Sequence, residues 1–244
     1  MMVLPPSAAY ELRLQKMILQ PLILTENPAA SLTSKIYESL RQDILRGTLS
    51  PGKKLRIDEL KETYGIGASA IREALSMLTS DLLVQRIDHR GFRVAPVSRS
   101  GFDELLKTRC WLEERALRES VMVGDVAWEE AVVLANFHLA RAKRNKSADR
   151  FLADDAWEMH HKALHKTIIS ACKSELLLHF CDQMYDLNIR YRRVAGSPID
   201  NARDVENEHA AIVQAALARD EKRAASLLLA HYNRTADLVR NALD

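Results

Sequence analysis

The sequence predicts a mainly α fold: an N-terminal winged helix-turn-helix followed by a C-terminal antiparallel all-helical bundle. Three observations carry this. From Ile57 to Val94 short amphipathic helical segments flank a glycine-containing turn, then two β-rich stretches are joined by Asp88-His89-Arg90-Gly91. Beyond Val97 strand signals vanish and nearly every segment repeats its apolar residues at helical period. With 244 residues, 47% of them hydrophobic, the chain can build a small head and a second core of about 140 residues. The expected division is an arm at 1–30, a winged helix-turn-helix at 31–97 and a helical binding and dimerisation domain at 98–244.

Residues 1–30 carry Pro5, Pro6, Pro21 and Pro28 around one short helical candidate, Ala9 to Leu19, and read as a flexible arm. Ser34 to Gly47 follows as a helix with Ile36, Leu40 and Ile44 in its apolar stripe and Gly47 ending it. Asp58 to Tyr64 is the positioning helix, closed by Gly65. Gly67 or Ser69 then opens a second helix that buries Ile71, Ala74, Leu75 and Leu78 and leaves Ser69, Arg72, Glu73 and Ser76 outward. Val84 to Ile87 and Phe92 to Ala95 read as strands, with His89-Arg90-Gly91 as the tip of a wing.

Helix-turn-helix and wing, together and in this order, imply a double-stranded DNA operator. An outward Arg72 suits guanine in the major groove, and Arg90 can reach the minor groove or the backbone. Between Ser31 and Val97 there are 11 Lys and Arg against 8 Asp and Glu, a net of +3. Arg41, Lys53, Arg56, Arg72, Arg90 and Arg93 are the candidate DNA contacts, with Ser69 beside Arg72. A helical protein-interaction module with an ordinary basic face is the competing reading.

In the second domain helices are expected near 101–122, 126–146, 149–172, 174–194, 201–218 and 221–242. The breaks fall at Gly124-Asp125, Lys146-Ser147, Lys173-Ser174, Gly196-Ser197-Pro198 and Arg219-Asp220. Such a bundle can hold a ligand between facing helices. No apolar run approaches the roughly 18 residues of a membrane span, and the N-terminus lacks the pattern of a signal peptide. Cys110, Cys172 and Cys181 are few, odd in number and without metal-type spacing, which fits a reducing cytoplasm.

Of eight histidines, His161 and His165 stand four apart and so share one helix face, while His209 and His231 fall on the last two helices. Neutral imidazole is a common metal ligand, so the four could hold a divalent metal ion inside the bundle. By spacing alone, such a pair is more often a packed or solvated surface feature.

The run from Thr33 to Pro96, with Arg72-Glu73-Ala74-Leu75 and Arg90-Gly91-Phe92-Arg93-Val94, resembles the DNA-binding domain of GntR-superfamily regulators. It departs from that pattern at Gly67-Ala68-Ser69-Ala70, where members commonly carry Ser or Thr, Arg, Thr and Pro. One base-reading arginine is thus absent at Ala68, and Gly67 lacks a capping oxygen. Trp157 through His165, Tyr185-Asp186, Arg190-Tyr191-Arg192 and Glu208-His209 resemble the FCD ligand-binding domain of the FadR branch, and in particular the carbon-starvation-induced regulator group.

That resemblance implies a homodimeric repressor released by a small organic acid bound at a metal centre, with a C4 to C5 dicarboxylate or hydroxyacid as effector. It places metal ligands at His161, His165, His209 and His231. His161 stands where the family usually has Asp, which removes a negative charge and favours Zn or Ni over Mn. Arg109 matches an arginine near the family's metal and would clamp the effector carboxylate, or else pair with Glu113 at i+4. Arg190 and Tyr191 are further pocket candidates. A metal sensor with no organic effector, and a metalloenzyme using Glu158 or Asp155, are the competing readings.

Overall fold

The structure, a computed structural model, describes residues 31–88, 90–144, 154–196 and 203–243. The expected arm at 1–30 with its 9–19 helix, His89 at the wing tip and the break at Lys146-Ser147 lie outside the described residues.

Helix α1 (Leu32–Arg46) starts where the Ser31 side chain accepts from the Ser34 N–H, and it stops at Gly47, whose φ of 83° few side-chain-bearing residues tolerate. Helices α2 (Ile57–Tyr64) and α3 (Ala68–Ser80) follow. Gly67 caps α3 without any side-chain bond, as its missing side chain dictates. Strands β1 (Lys54–Leu55), β2 (Val84–Ile87) and β3 (Gly91–Val94) form one antiparallel sheet in the order β1-β3-β2. β1 was not expected, because two residues carry no periodicity and the strand exists only through its pairing with Phe92 and Arg93. β3 begins one residue early since Gly91 pairs with Ile87; the Ala95 N–H still continues the ladder to the Leu83 carbonyl. Ile36, Leu40, Ile44, Ile71, Leu75 and Leu78 close the head's core.

The second part is helical throughout among the described residues: α4 (Arg99–Val123), α5 (Val126–Arg141), α6 (Asp155–Ile168), α7 (Glu175–Ala195), α8 (Val205–Leu217) and α9 (Glu221–Leu243). α4 lies against α7 and α9, α5 against α6, and α8 against α9. α6 is shorter than the expected 149–172. Asp154 caps its start, and after Ile168 the chain turns through Ser170, whose hydroxyl donates to the Thr167 carbonyl, to the left-handed Lys173. α5 stops at Arg141, where Ala142 turns extended. The Trp128 indole N–H donates to the Thr167 carbonyl at 2.9 Å and fixes α5 on α6.

Candidate metal centre and DNA-binding surface

Helix α6 places His161 and His165 one turn apart, facing inward, and α8 and α9 bring His209 and His231 to the same point. All four are buried, and one ligand atom from each lies within 4.8 Å of every other. Trp157 stacks on His161 at 4.4 Å between centroids and covers one side.

Hydrogen bonds outside this cluster decide which nitrogen is bare in three of the four rings. The Tyr185 hydroxyl has one proton and gives it to Glu158 Oε1 at 2.9 Å, so at 2.6 Å it must accept from His161 Nδ1. Glu158 in turn accepts from Arg192 at 2.6 Å. In the same way the Tyr232 hydroxyl donates to Glu113 and accepts from His165 Nδ1 at 3.0 Å, while Glu113 accepts from Arg109 Nε at 2.6 Å. His231 Nδ1 donates directly to Glu208 at 2.8 Å, and Glu208 is held by Arg203 at 2.6 Å and 2.9 Å. Three histidines therefore each sit on a relay of carboxylate and arginine, two of them through a tyrosine.

With Nδ1 protonated, the Nε2 atoms of His161 and His165 are bare lone pairs, yet they face each other at 3.1 Å. Two lone pairs repel at that distance unless a cation lies beside both. Two nitrogens on one metal at 2.0–2.1 Å would stand roughly 2.9–3.4 Å apart. His209 Nε2 is buried with no hydrogen-bond partner among the described residues. Burial, with nearby cations adding, pushes the pKa values of His161, His165 and His209 well below the ordinary imidazole value, and His231 down to about 4. All four are neutral near pH 7, the form that binds metal. Burial alone would raise Glu208, but hydrogen bonds from His231 and Arg203 outweigh it and hold the carboxyl far below its usual range. The donor set fits a divalent ion of nitrogen preference.

Beside the centre lies a small cleft of about 90 Å³, open to solvent on one side and lined by Asn136, Leu139, Arg144, Trp157, Val205 and His209. His209 forms part of its wall.

On the head, Ser69 and Arg72 stand exposed on α3, and Lys53, Arg56 and Arg90 are exposed around the sheet. Arg56 pairs with Glu59 at 3.0 Å, and Arg93 donates twice to the Gln85 side chain across the β2–β3 pair. A family model described as bacterial regulatory proteins, gntR family, matches residues 32–94, and an FCD domain model matches 104–234.

The chain belongs to the GntR family.

It is 37% identical over 210 residues to the HTH-type transcriptional regulator BphR of Paraburkholderia xenovorans, covering 86% of each chain. It is 31% identical to the HTH-type transcriptional repressor GlaR of Escherichia coli, covering 85% of this chain and 95% of that one. The fold matches the solved structure of E. coli McbR/YncC, with a TM-score of 0.73 and 18% identity over 88% of this chain and all of the other. A GntR structure from Rhodococcus matches with a TM-score of 0.66 and 19% identity, over 86% of this chain and 97% of that one. Families and relatives are transcriptional regulators, so this GntR-family chain is a DNA-binding regulator and not an enzyme. Among the described residues no helix is long and apolar enough to cross a membrane.

Within this GntR-family frame three site expectations change. Arg41 does not point outward: its guanidinium is committed to Asp186 of α7 and, at 3.5 Å, to Glu38. Arg190 donates to the Ala95 carbonyl at the end of the wing, and Tyr191 packs on Phe102 at 5.2 Å between centroids. Successive helical residues differ by about 100°, so of Arg190-Tyr191-Arg192 only Arg192 reaches the centre. Arg109 does reach it, lying 4.0 Å over the Tyr232 ring, and it makes the Glu113 pair as well. The sequence reading missed Tyr232 and Arg203 altogether, and it named Glu113 only as a partner of Arg109 and Glu208 only beside His209, neither as a relay that holds an imidazole. Only Glu208, next to His209, carried a local signal. His160 lies off the cluster and stacks on His138.

For the head, Arg72→Ala is expected to lower specific DNA affinity by about 1–3 kcal/mol and relax base preference. Arg90→Ala should weaken all sequences alike and reduce the salt slope by about one. Anisotropy titrations at several salt concentrations on selected and random duplexes separate the two. Equal losses on every sequence for Arg72→Ala would remove it from base reading.

Proposed function

We propose that this regulator is a homodimeric repressor acting in the cytoplasm, with a DNA-binding head at 31–97 and a metal- and effector-binding domain at 98–244. In it His161, His165, His209 and His231 hold a divalent ion, Zn or Ni by donor chemistry, and a small carboxylate binding beside that ion releases the operator. The observation that carries this is the set of three relays, which protonate the outer nitrogens and turn bare Nε2 atoms of α6 toward one point. The ion would supply a positive charge for a carboxylate ligand.

The carboxylate is supported by two buried guanidinium nitrogens beside the relays, Arg109 Nη2 and Arg192 Nε, which have no acceptor among the described residues. Both suit an incoming anion, and the C4 to C5 dicarboxylates and hydroxyacids are the first to try. Repression is supported by the likeness to GlaR, a transcriptional repressor. The dimer is supported by exposed Trp111 on α4 and exposed Leu176 and Phe180 on α7, apolar side chains on two helices that pack together.

Thermal melting tests the reading. Ni(II) or Zn(II) should raise the melting temperature of chelator-stripped protein, and one acid should raise it further only when metal is present. An acid that stabilises stripped protein equally well overturns the metal-borne effector site. A metal shift with no acid response favours direct metal sensing.

The relays make a separate prediction. Tyr232→Phe or Glu208→Gln keeps all four ligands and should lower metal affinity about 10–100-fold, read by competition with a chromophoric chelator. Unchanged affinity in both would mean that the relays do not orient the rings.

A further inference from the structure

We propose that helix α7 couples the histidine centre to the DNA-binding head, with Asp186 as the shared joint; this rests on the metal reading above.

Two consecutive residues of α6 are tied to two consecutive residues of α7. His161 Nδ1 meets the Tyr185 hydroxyl at 2.6 Å, and Lys162 Nζ meets Asp186 Oδ1 at 2.6 Å. The second oxygen of Asp186 takes the guanidinium of Arg41, which belongs to α1 in the head. One carboxylate is thus clamped between a cation adjacent to a metal ligand and a cation of the head. The side chains of Lys162, Asp186 and Arg41 are only 11%, 11% and 18% exposed, so solvent and salt screen the joint little. Lys162 is also held by Asp182 at 2.9 Å, which keeps it on α7.

Asp186 does not act alone. Gln183 Nε2 donates at 3.3 Å to the carbonyl of Ser80, the last residue of α3, and Arg190 donates to the Ala95 carbonyl where the wing ends. Residues 183, 186 and 190 stand at i, i+3 and i+7 and form one face of α7. They grip α1, α3 and the chain leaving the sheet. Tyr185 and Arg192, seven apart, form a second face, and both end on Glu158 beside His161. One rigid helix therefore carries the relay of a metal ligand on one face and three head contacts on the next.

An occupant that reorients the His161 ring must carry the Tyr185 hydroxyl with it, because the ring donates to that oxygen. Tyr185 and Asp186 share a backbone, so the motion arrives at Arg41 and, through the helix, at Ser80 and Ala95. Close packing makes such an interface switch between arrangements rather than yield continuously. A bound ion and the head's docking are then linked, and the linkage is reciprocal.

Hydrogen exchange on the full-length protein, with Ni(II) as probe, tests this without a known operator. In the wild type Ni(II) should change exchange in peptides of α6, α8 and α9 and also in α1 and the end of α3. Arg41→Gln combined with Gln183→Ala lies outside the histidine cluster and its relays. It should keep the bundle response and shrink the head response about 5-fold or more. Asp186→Asn is the second variant, with the same expected outcome. A head response of full size in both, or a wild-type bundle response with no head response, overturns the coupling and leaves the metal reading standing. No Ni(II) response anywhere in the wild type overturns both.

Discussion

Replacing His165 with alanine is expected to abolish the metal-dependent rise in melting temperature. At a free metal concentration of about 100 times the dissociation constant, an ion that binds only the folded state adds about 2.7 kcal/mol. For a chain of this size that corresponds to a shift of roughly 5–10 °C. His165 is the candidate ligand to remove first, because its Nε2 faces that of His161 at 3.1 Å and its Nδ1 is locked by Tyr232. The loss should exceed that of Tyr232→Phe, which disturbs only the orientation of the ring. If His165→Ala keeps the full shift in differential scanning fluorimetry, the ion is bound elsewhere and the histidine cluster is a packed core feature.

Chelator-stripped protein is expected to lose stability steeply on mild acidification. The four imidazoles have folded pKa values depressed by burial, that of His231 to about 4, against an unfolded value of about 6.5. Below about pH 6.5 the unfolded chain takes up protons that the folded chain refuses, so stability falls with pH until the folded pKa is reached. At pH 5.5 the cost is about 1.4 kcal/mol for His231, and His161, His165 and His209 add to it in the same direction. Glu208 adds a loss at lower pH: its folded value is depressed, so its stabilisation is present above the unfolded carboxyl value and disappears as pH falls below it. Urea titrations of stripped protein at pH 7.5 and 5.5 measure the difference directly. Equal midpoints at the two pH values would show that the histidines are not buried neutral in the metal-free state.

Much of the candidate site was legible because its histidines obey helix arithmetic. A pair at i and i+4 is on one face wherever the helix lies, so His161 and His165 could be paired from spacing, His209 and His231 stood out on the last two helices, and the family resemblance supported grouping the four. The relays were not legible. Tyr232 is 67 residues from His165, and Glu113 a further 52 before that, and nothing local in either residue marks a partner so far away. Arg190, Tyr191 and Arg192 show the same limit from the other side. Their composition suits an anion pocket, but the 100° step between neighbours sends one to the wing, one into the core and one to the centre.

Arg41 had the charge and location of a phosphate contact, and its spacing could not reveal that an aspartate 145 residues later would take its guanidinium. By itself the sequence determined the order of elements, the winged head and the helical bundle, because apolar periodicity, glycine turns and capping residues act within a few residues of the chain. Only the tertiary structure decided which tyrosine and carboxylate orient each imidazole and which cations face the centre rather than the head. Those choices depend on how whole helices are rotated against one another, and that rotation is set by packing among residues far apart in the chain.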